Sequence, residues 1–155
     1  MAQFVYRLQK VYEIRERKKK EQERRVSEAM ERLKQAEAAV VAKKHEIQSV
    51  RDNMFNSPGF MLESHDIFIQ KLNDDLEQLE HQVVVCQEQL AYEKQMLIKA
   101  TMDLEALEKH KEKAREEHFE EEKMMELKKL DEVASQRYFR QQQEHLEEEH
   151  QFEDL

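Results

Sequence analysis

Glu147 and His150 form a Glu-x-x-His pair, the spacing that sets two metal ligands on one face of a helix. A two-metal centre in a helix bundle would need further carboxylates reaching inward from facing helices. This pair instead stands in EHLEEEHQFEDL, residues 144–155, where glutamate is so frequent that one such pairing arises by chance. Cys86 is the only cysteine, so an internal disulfide and a multi-cysteine zinc site are both excluded. Gly59 is the only glycine. A Walker A loop, a dinucleotide fingerprint and a nucleophile elbow each require at least two, so any nucleotide chemistry belongs to a partner. No nucleophile, base and orienting group can be assembled, and two paired helices enclose no cavity to hold them. The chain is expected to be non-enzymatic, with no cofactor and no metal.

The elements that carry these residues follow from composition and spacing. Charged residues make up 39% and apolar residues 39% of the 155, with Glu, Lys, Gln, Leu, Ala, Arg and Met dominant. All of these favour helix, and the apolar share is below the roughly 45–50% of an ordinary globular domain. A strict 3–4 spacing runs Val26, Ala29, Leu33, Ala36, Val40, Lys43, Ile47, Val50, Met54, with eight of the nine positions apolar. It resumes as Leu62, His65, Ile69, Leu72, Leu76, Leu79, Val83, Cys86, Leu90, Glu93, Leu97, Ala100, Leu104, Leu107, Lys111, Ala114, twelve of the sixteen apolar besides Cys86. This is the seam of a coiled coil, and it rules out disorder over 26–114. Polar seam residues (Lys43, His65, Glu93, Lys111, His118) read as register-fixing groups, and Cys86 as a small buried apolar one.

Between the two runs lies FNSPGF, residues 55–60, with the only proline and the only glycine. Pro58 suits the second position of a type II turn, and Gly59 would supply the positive φ that follows. A short link between two amphipathic helices makes them antiparallel neighbours. The expected fold is all-α: a long antiparallel two-helix coiled-coil hairpin with a protruding C-terminal helix. Helix 1 is placed at about 4–56, the turn at 57–60, helix 2 at about 61–143, and an acidic, frayed tail at 144–155. A parallel homodimer is the alternative that heptads alone leave open.

The arms are unequal. Folding back at 57–60 sets Phe4 opposite about residue 112, which leaves on the order of 40 residues without a partner. Apolar residues persist there, among them Phe119, Met124, Leu127, Leu130, Val133 and Tyr138. A helix with a bare apolar stripe requires another surface. Phe55, Phe60 and Phe68 cluster at the turn, where they either close its end or offer an aromatic patch to a partner.

Charge is distributed unevenly. Residues 1–25 carry nine Lys/Arg against four Glu, while the remaining 130 sum to −14 of the net −9. The run RERKKKEQERR ahead of a heptad seam superficially resembles a basic-zipper arrangement. Glu16, Glu21 and Glu23 interrupt it, and the second helix competes for the seam, so nucleic-acid binding is not expected. A solvated charged face or docking to an acidic protein surface are the remaining readings. No signal-peptide core is present, and the longest apolar runs, AAVVA and VVVC, are far below the roughly 20 residues of a membrane span. A cytoplasmic protein without direct membrane insertion is expected.

FVYRLQKVYEIRERKKKEQ, residues 4–22, resembles the opening of the FliJ family of flagellar export proteins, through Phe4, Leu8, Gln9, Val11, Ile14, Arg15 and Glu16. EEKMMELKKLDEVASQR, residues 121–137, is similar to that family's C-terminal helix, through Leu130, Asp131, Glu132, Ala134 and Arg137. The resemblance implies a central-stalk and adaptor component of the flagellar type III export apparatus, peripheral to the inner membrane. Its implied partners are the export ATPase hexamer, the cytoplasmic domain of the membrane export gate and the export chaperones. On this reading Phe4, Leu8, Val11, Arg15, Arg17, Leu127, Leu130, Asp131, Glu132, Ala134, Arg137 and Tyr138 face the ATPase ring. Phe55, Phe60 and Phe68 belong to the region nearest the gate or chaperones. A generic coiled-coil tether and the injectisome counterpart of the same stalk are the alternatives.

Overall fold

The computed structural model describes residues 2–154. Two α-helices, α1 (Gln9–Met54) and α2 (Leu62–Glu153), pack against each other as an all-α antiparallel hairpin, joined through a single 3₁₀ turn at Gly59–Met61. No strand occurs among the described residues. The contacts divide them into two compact units, one of residues 10–106 and one of residues 2–9 with 107–154.

The unit of residues 10–106 is built on the seam. Every seam position from Val26 to Met54 and from His65 to Leu104 is buried or half-buried, while the residues between are nearly all exposed. Leu72 and Ala29 are each 3% exposed and Ile47 5%. Leu62 departs from the pattern at 42% because it opens α2 beside the turn, beyond the reach of α1. Moving along α1 from Arg15 to Gln22 moves the contact on α2 back from Asp103 to Glu93, which fixes the antiparallel sense.

The basic run also finds its register. Tyr12, Arg15, Lys19 and Gln22 continue the 3–4 spacing backwards from Val26, and all four are buried or half-buried. Arg15 donates to the main-chain carbonyl of Asp103 at 3.0 Å. Gln22, 8% exposed, donates to the main-chain carbonyl of Glu93 at 3.0 Å and to its carboxylate. A buried amide left unpaired costs about 1–3 kcal/mol, so a shift in register that separates Gln22 from Glu93 is penalised. Lys43 occupies the seam by its stem and sends its ammonium out to Glu46 at 3.0 Å.

The turn is made differently from the type II geometry that Ser-Pro-Gly-Phe suggests. No described glycine has a positive φ. Pro58 is extended (φ −58°, ψ 146°), and Gly59 then enters the 3₁₀ turn, with the Met61 N–H donating to the Pro58 carbonyl at 3.0 Å. The reversal is shared with the end of α1, where Asn56 and Ser57 donate to the carbonyls of Asn53 and Met54 at 3.1 and 3.3 Å. The Ser57 hydroxyl adds a bond to the Asn53 carbonyl at 3.1 Å. These bonds satisfy carbonyls that the last helical turn would leave open, so no left-handed residue is needed.

Both helix limits differ from those read from the sequence. α1 begins at Gln9, because Phe4, Val5 and Tyr6 are poor helix formers, and Phe4 and Tyr6 instead pack their rings on α2. α2 runs to Glu153 and so takes in the acidic stretch from residue 144 up to that point; Glu, Gln and Leu all favour helix. Met1 and Leu155, which the sequence assigned to the first helical domain and to the tail, lie outside the described residues.

Two stability measurements check this arrangement. A Cβ at Gly59 would meet nothing within 4 Å. Gly59→Ala is therefore expected to be neutral or to stabilise by about 0.4–1 kcal/mol in urea denaturation, whereas a positive-φ glycine would lose stability on the same change. Leu72→Ala should cost about 2–3 kcal/mol, and Leu130→Ala, 64% exposed, less than about 0.5. Equal losses at both sites would contradict the burial pattern.

Candidate partner-binding surfaces

In the unit of residues 2–9 with 107–154, an extended N-terminal strap lies on α2. Phe4 and Tyr6 are half-buried and buried while Gln3 and Val5 are exposed, the alternation of an extended chain on a surface; Arg7, exposed, and Leu8, half-buried, then form a turn closed by the Gln9 N–H on the Tyr6 carbonyl at 3.2 Å. Tyr6 is 6% exposed; its hydroxyl lies 2.6 Å from His110 Nδ1, and Lys111 Nζ stands 6.0 Å from its ring centre. The Phe4 ring packs on His118 at 5.5 Å between centroids. His118 Nε2 reaches both the Ala2 carbonyl, at 3.4 Å, and the Glu122 carboxylate, at 3.3 Å. Phe4 thus meets His118, where helical pairing set it near residue 112. An extended residue advances about 3.3 Å and a helical one about 1.5 Å, so the same residues reach farther along α2.

From Lys123 onward every described residue is exposed. Leu127, Leu130, Ala134 and Tyr138 recur at 3–4 spacing, and Leu127, Leu130 and Tyr138 are 60–64% exposed. Met124, Met125 and Phe139 add to them at 64–66%. Asp131, Glu132 and Arg137 lie among them, also exposed. The stripe adjoins the strap: Ala2, Glu122, Met125, Glu126 and Lys129 line one shallow depression. Apolar area of this kind on a helix without a partner marks an interaction surface.

The residues that the sequence grouped as facing one ring divide between the units. Phe4 and Leu8 share a unit with Leu127, Leu130, Asp131, Glu132, Ala134, Arg137 and Tyr138, although Phe4 itself contacts His118. Val11, Arg15 and Arg17 belong to the other unit. There Val11 and Arg17 are exposed, and Arg15 is engaged with Asp103. Much of the basic run is balanced within α1 itself. Arg24 lies 2.6 Å from Glu21, and its hydrogen bond holds the Glu21 carboxyl below the usual carboxylate range. Arg24 also approaches Glu28 at 3.7 Å, and Lys20 approaches Glu16 at 3.9 Å. These exposed i,i+3 and i,i+4 pairs give the helix only weak support, which salt screens further. Exposed Arg17 and Lys18 leave a cationic edge on α1.

At the turn, Phe55 is 90% and Phe60 79% exposed, so neither closes the end of the hairpin. Phe68 is 45% and Ile67 62% exposed. Arg51, Met54, Phe55, Ser57 and Leu62 border a depression beside them. The aromatic side chains therefore stand in water as a second candidate surface.

Three contributors were not apparent as site residues. Tyr6 could have been found from the alternation of Phe4, Tyr6 and Leu8, which fits an extended strap better than a helix. Gln22 was recoverable by carrying the heptads back from Val26. His110 has no sequence signal, because it lies beside the seam and is chosen only by where the strap crosses. Among the described residues no group of three or more His, Cys, Asp or Glu is placed to hold a metal ion. None of the described helices is long and apolar enough to cross a membrane.

A family model described as the flagellar FliJ protein matches residues 4–143, which takes in α1, α2 as far as residue 143 and the bare stripe from Leu127 to Tyr138. No curated protein and no solved structure matches the chain. The matched span covers most of the chain, and with it the chain belongs to the FliJ family of flagellar export proteins.

Proposed function

We propose that this protein is a non-enzymatic central-stalk and adaptor component of the flagellar type III export apparatus, cytoplasmic and peripheral to the membrane. It docks into the ring of the export ATPase and couples that ring to the export gate and chaperones. The observation that carries this reading is the apolar stripe on α2 at Leu127, Leu130, Ala134 and Tyr138. It is bare in the single chain and falls within the span matched by the family. A generic tether needs only the seam. It has no use for an unpartnered helix that exposes leucine, tyrosine and methionine to water at a hydrophobic cost of about 25 cal/mol per Å².

In this proposal the stripe supplies the apolar anchors of the ATPase contact, and Asp131, Glu132 and Arg137 supply its charged rim. The strap holds Phe4 and Leu8 on the same unit, beside the start of the stripe. The exposed phenylalanines Phe55, Phe60 and Phe68 serve a second contact with the gate or a chaperone. Two contacts on separate surfaces are what an adaptor requires.

Adding stoichiometric protein to the purified export ATPase should raise its rate of ATP hydrolysis. Changing Leu127 and Leu130 to Ser, both exposed and outside the paired seam, should weaken the contact by at least about 30-fold, the loss of one hot spot of about 2 kcal/mol. Changing Phe55 and Phe60 to Ser should leave ATPase stimulation intact and reduce binding to the gate or chaperone. Unaltered stimulation by a chain lacking residues 121–143 would refute the docking and favour the tether.

A further inference from the structure

Charge is sorted along the exposed part of α2. Residues 123–140 carry five bases (Lys123, Lys128, Lys129, Arg137, Arg140) against three acids. Residues 144–154 carry six acids and no base. Both stretches belong to one continuous helix and are exposed throughout. A parallel second helix would set acid against acid over the terminal stretch. An antiparallel copy sets the basic stretch of each chain against the acidic stretch of the other, twice over by symmetry.

The apolar residues agree with that register. Leu130 and Leu146 stand equally far on either side of Tyr138, and so do Met124 and Phe152. All four are exposed in the single chain, Phe152 by 81%. A two-fold axis at Tyr138 brings Leu130 of one copy level with Leu146 of the other along the pair, and Met124 level with Phe152. The two Tyr138 rings meet at the axis. One operation thus sets basic against acidic stretches and brings large apolar side chains to the same levels of the pair.

We infer that the exposed end of α2 pairs with a second copy of this chain, antiparallel and two-fold symmetric about Tyr138. The pairing covers the same stripe that the docking proposal exposes, and it goes beyond that proposal, since a self-paired chain stores the face until a tighter partner competes for it. The acidic stretch gains a role as the electrostatic counterpart of the basic one. Like-charge juxtaposition disfavours the parallel arrangement of the same two helices.

Sedimentation equilibrium of the full chain tests this, with charge reversal deciding the sense of pairing. The wild type should double in mass with rising concentration, reaching mostly dimer at about 100 µM if the pairing is of micromolar strength. Reversing Lys123, Lys128 and Lys129 to Glu, or Glu147, Glu148 and Glu149 to Lys, should each weaken self-association by at least about tenfold. An equimolar mixture of the two reversed chains should dimerise again. Spin labels at Tyr138→Cys, in a Cys86→Ser background, should lie close together in the dimer, while labels at Met124→Cys should lie far apart. A wild type that stays monomeric throughout overturns the inference, as does a mixture that fails to recover, or close labels at position 124. ATPase stimulation by the dilute chain is read separately, so failure here leaves the docking proposal standing.

Discussion

The structure depends on the narrowness of a heptad seam. A 3–4 stripe makes each helix apolar on one side only, so a long helix is stable in water just as far as something covers that side. Here α2 has 92 residues and α1 has 46. Within residues 10–106 the two helices cover each other's seams. From Leu107 to Glu122 the covering is done by an extended strap of a few residues, which is an economical use of chain because extended residues reach about twice as far as helical ones. Beyond Glu122 nothing in the described chain takes over. The exposed apolar face is therefore a consequence of where the single turn falls.

The polar residues on the seam have a complementary role. Pure apolar seams tolerate sliding by a heptad, and the Gln22–Glu93 pair together with Arg15 on the Asp103 carbonyl removes that freedom. Register matters because it sets where the seam of α2 passes out of reach of α1. A stable offset is what allows a fixed stretch of helix to be presented to another molecule.

Much of this was legible in the sequence, and the reasons are specific. The seam was readable because good helix formers and a strict 3–4 spacing agree from Val26 to Leu104, and every one of those positions is covered except Leu62 at the turn. The turn's position was legible from Pro58 and Gly59, but its geometry was not. Ser-Pro-Gly-Phe is compatible with both a type II turn and an extended proline leading into a 3₁₀ turn, and the hydrogen bonds closing α1 selected the second. The strap was missed because Phe4, Tyr6 and Leu8 lie next to strongly helical sequence, and their alternation is only three residues long. The grouping of Val11, Arg15 and Arg17 with the terminal stripe came from family resemblance; in the structure Arg15 also bonds the Asp103 carbonyl across the paired seam. Local pattern thus reveals elements and faces, while side-chain partners that depend on crossing points, such as His110, emerge only from the packed chain.

The most direct measurement of the central claim is amide hydrogen exchange on the full chain with and without the purified export ATPase. Seam-paired amides should exchange slowly in both samples, and those of the bare helix quickly when the chain is alone. The ATPase should slow exchange between residues 123 and 139. Slowing confined to the turn around Phe55 and Phe60, or no change along α2 despite binding, would contradict that claim.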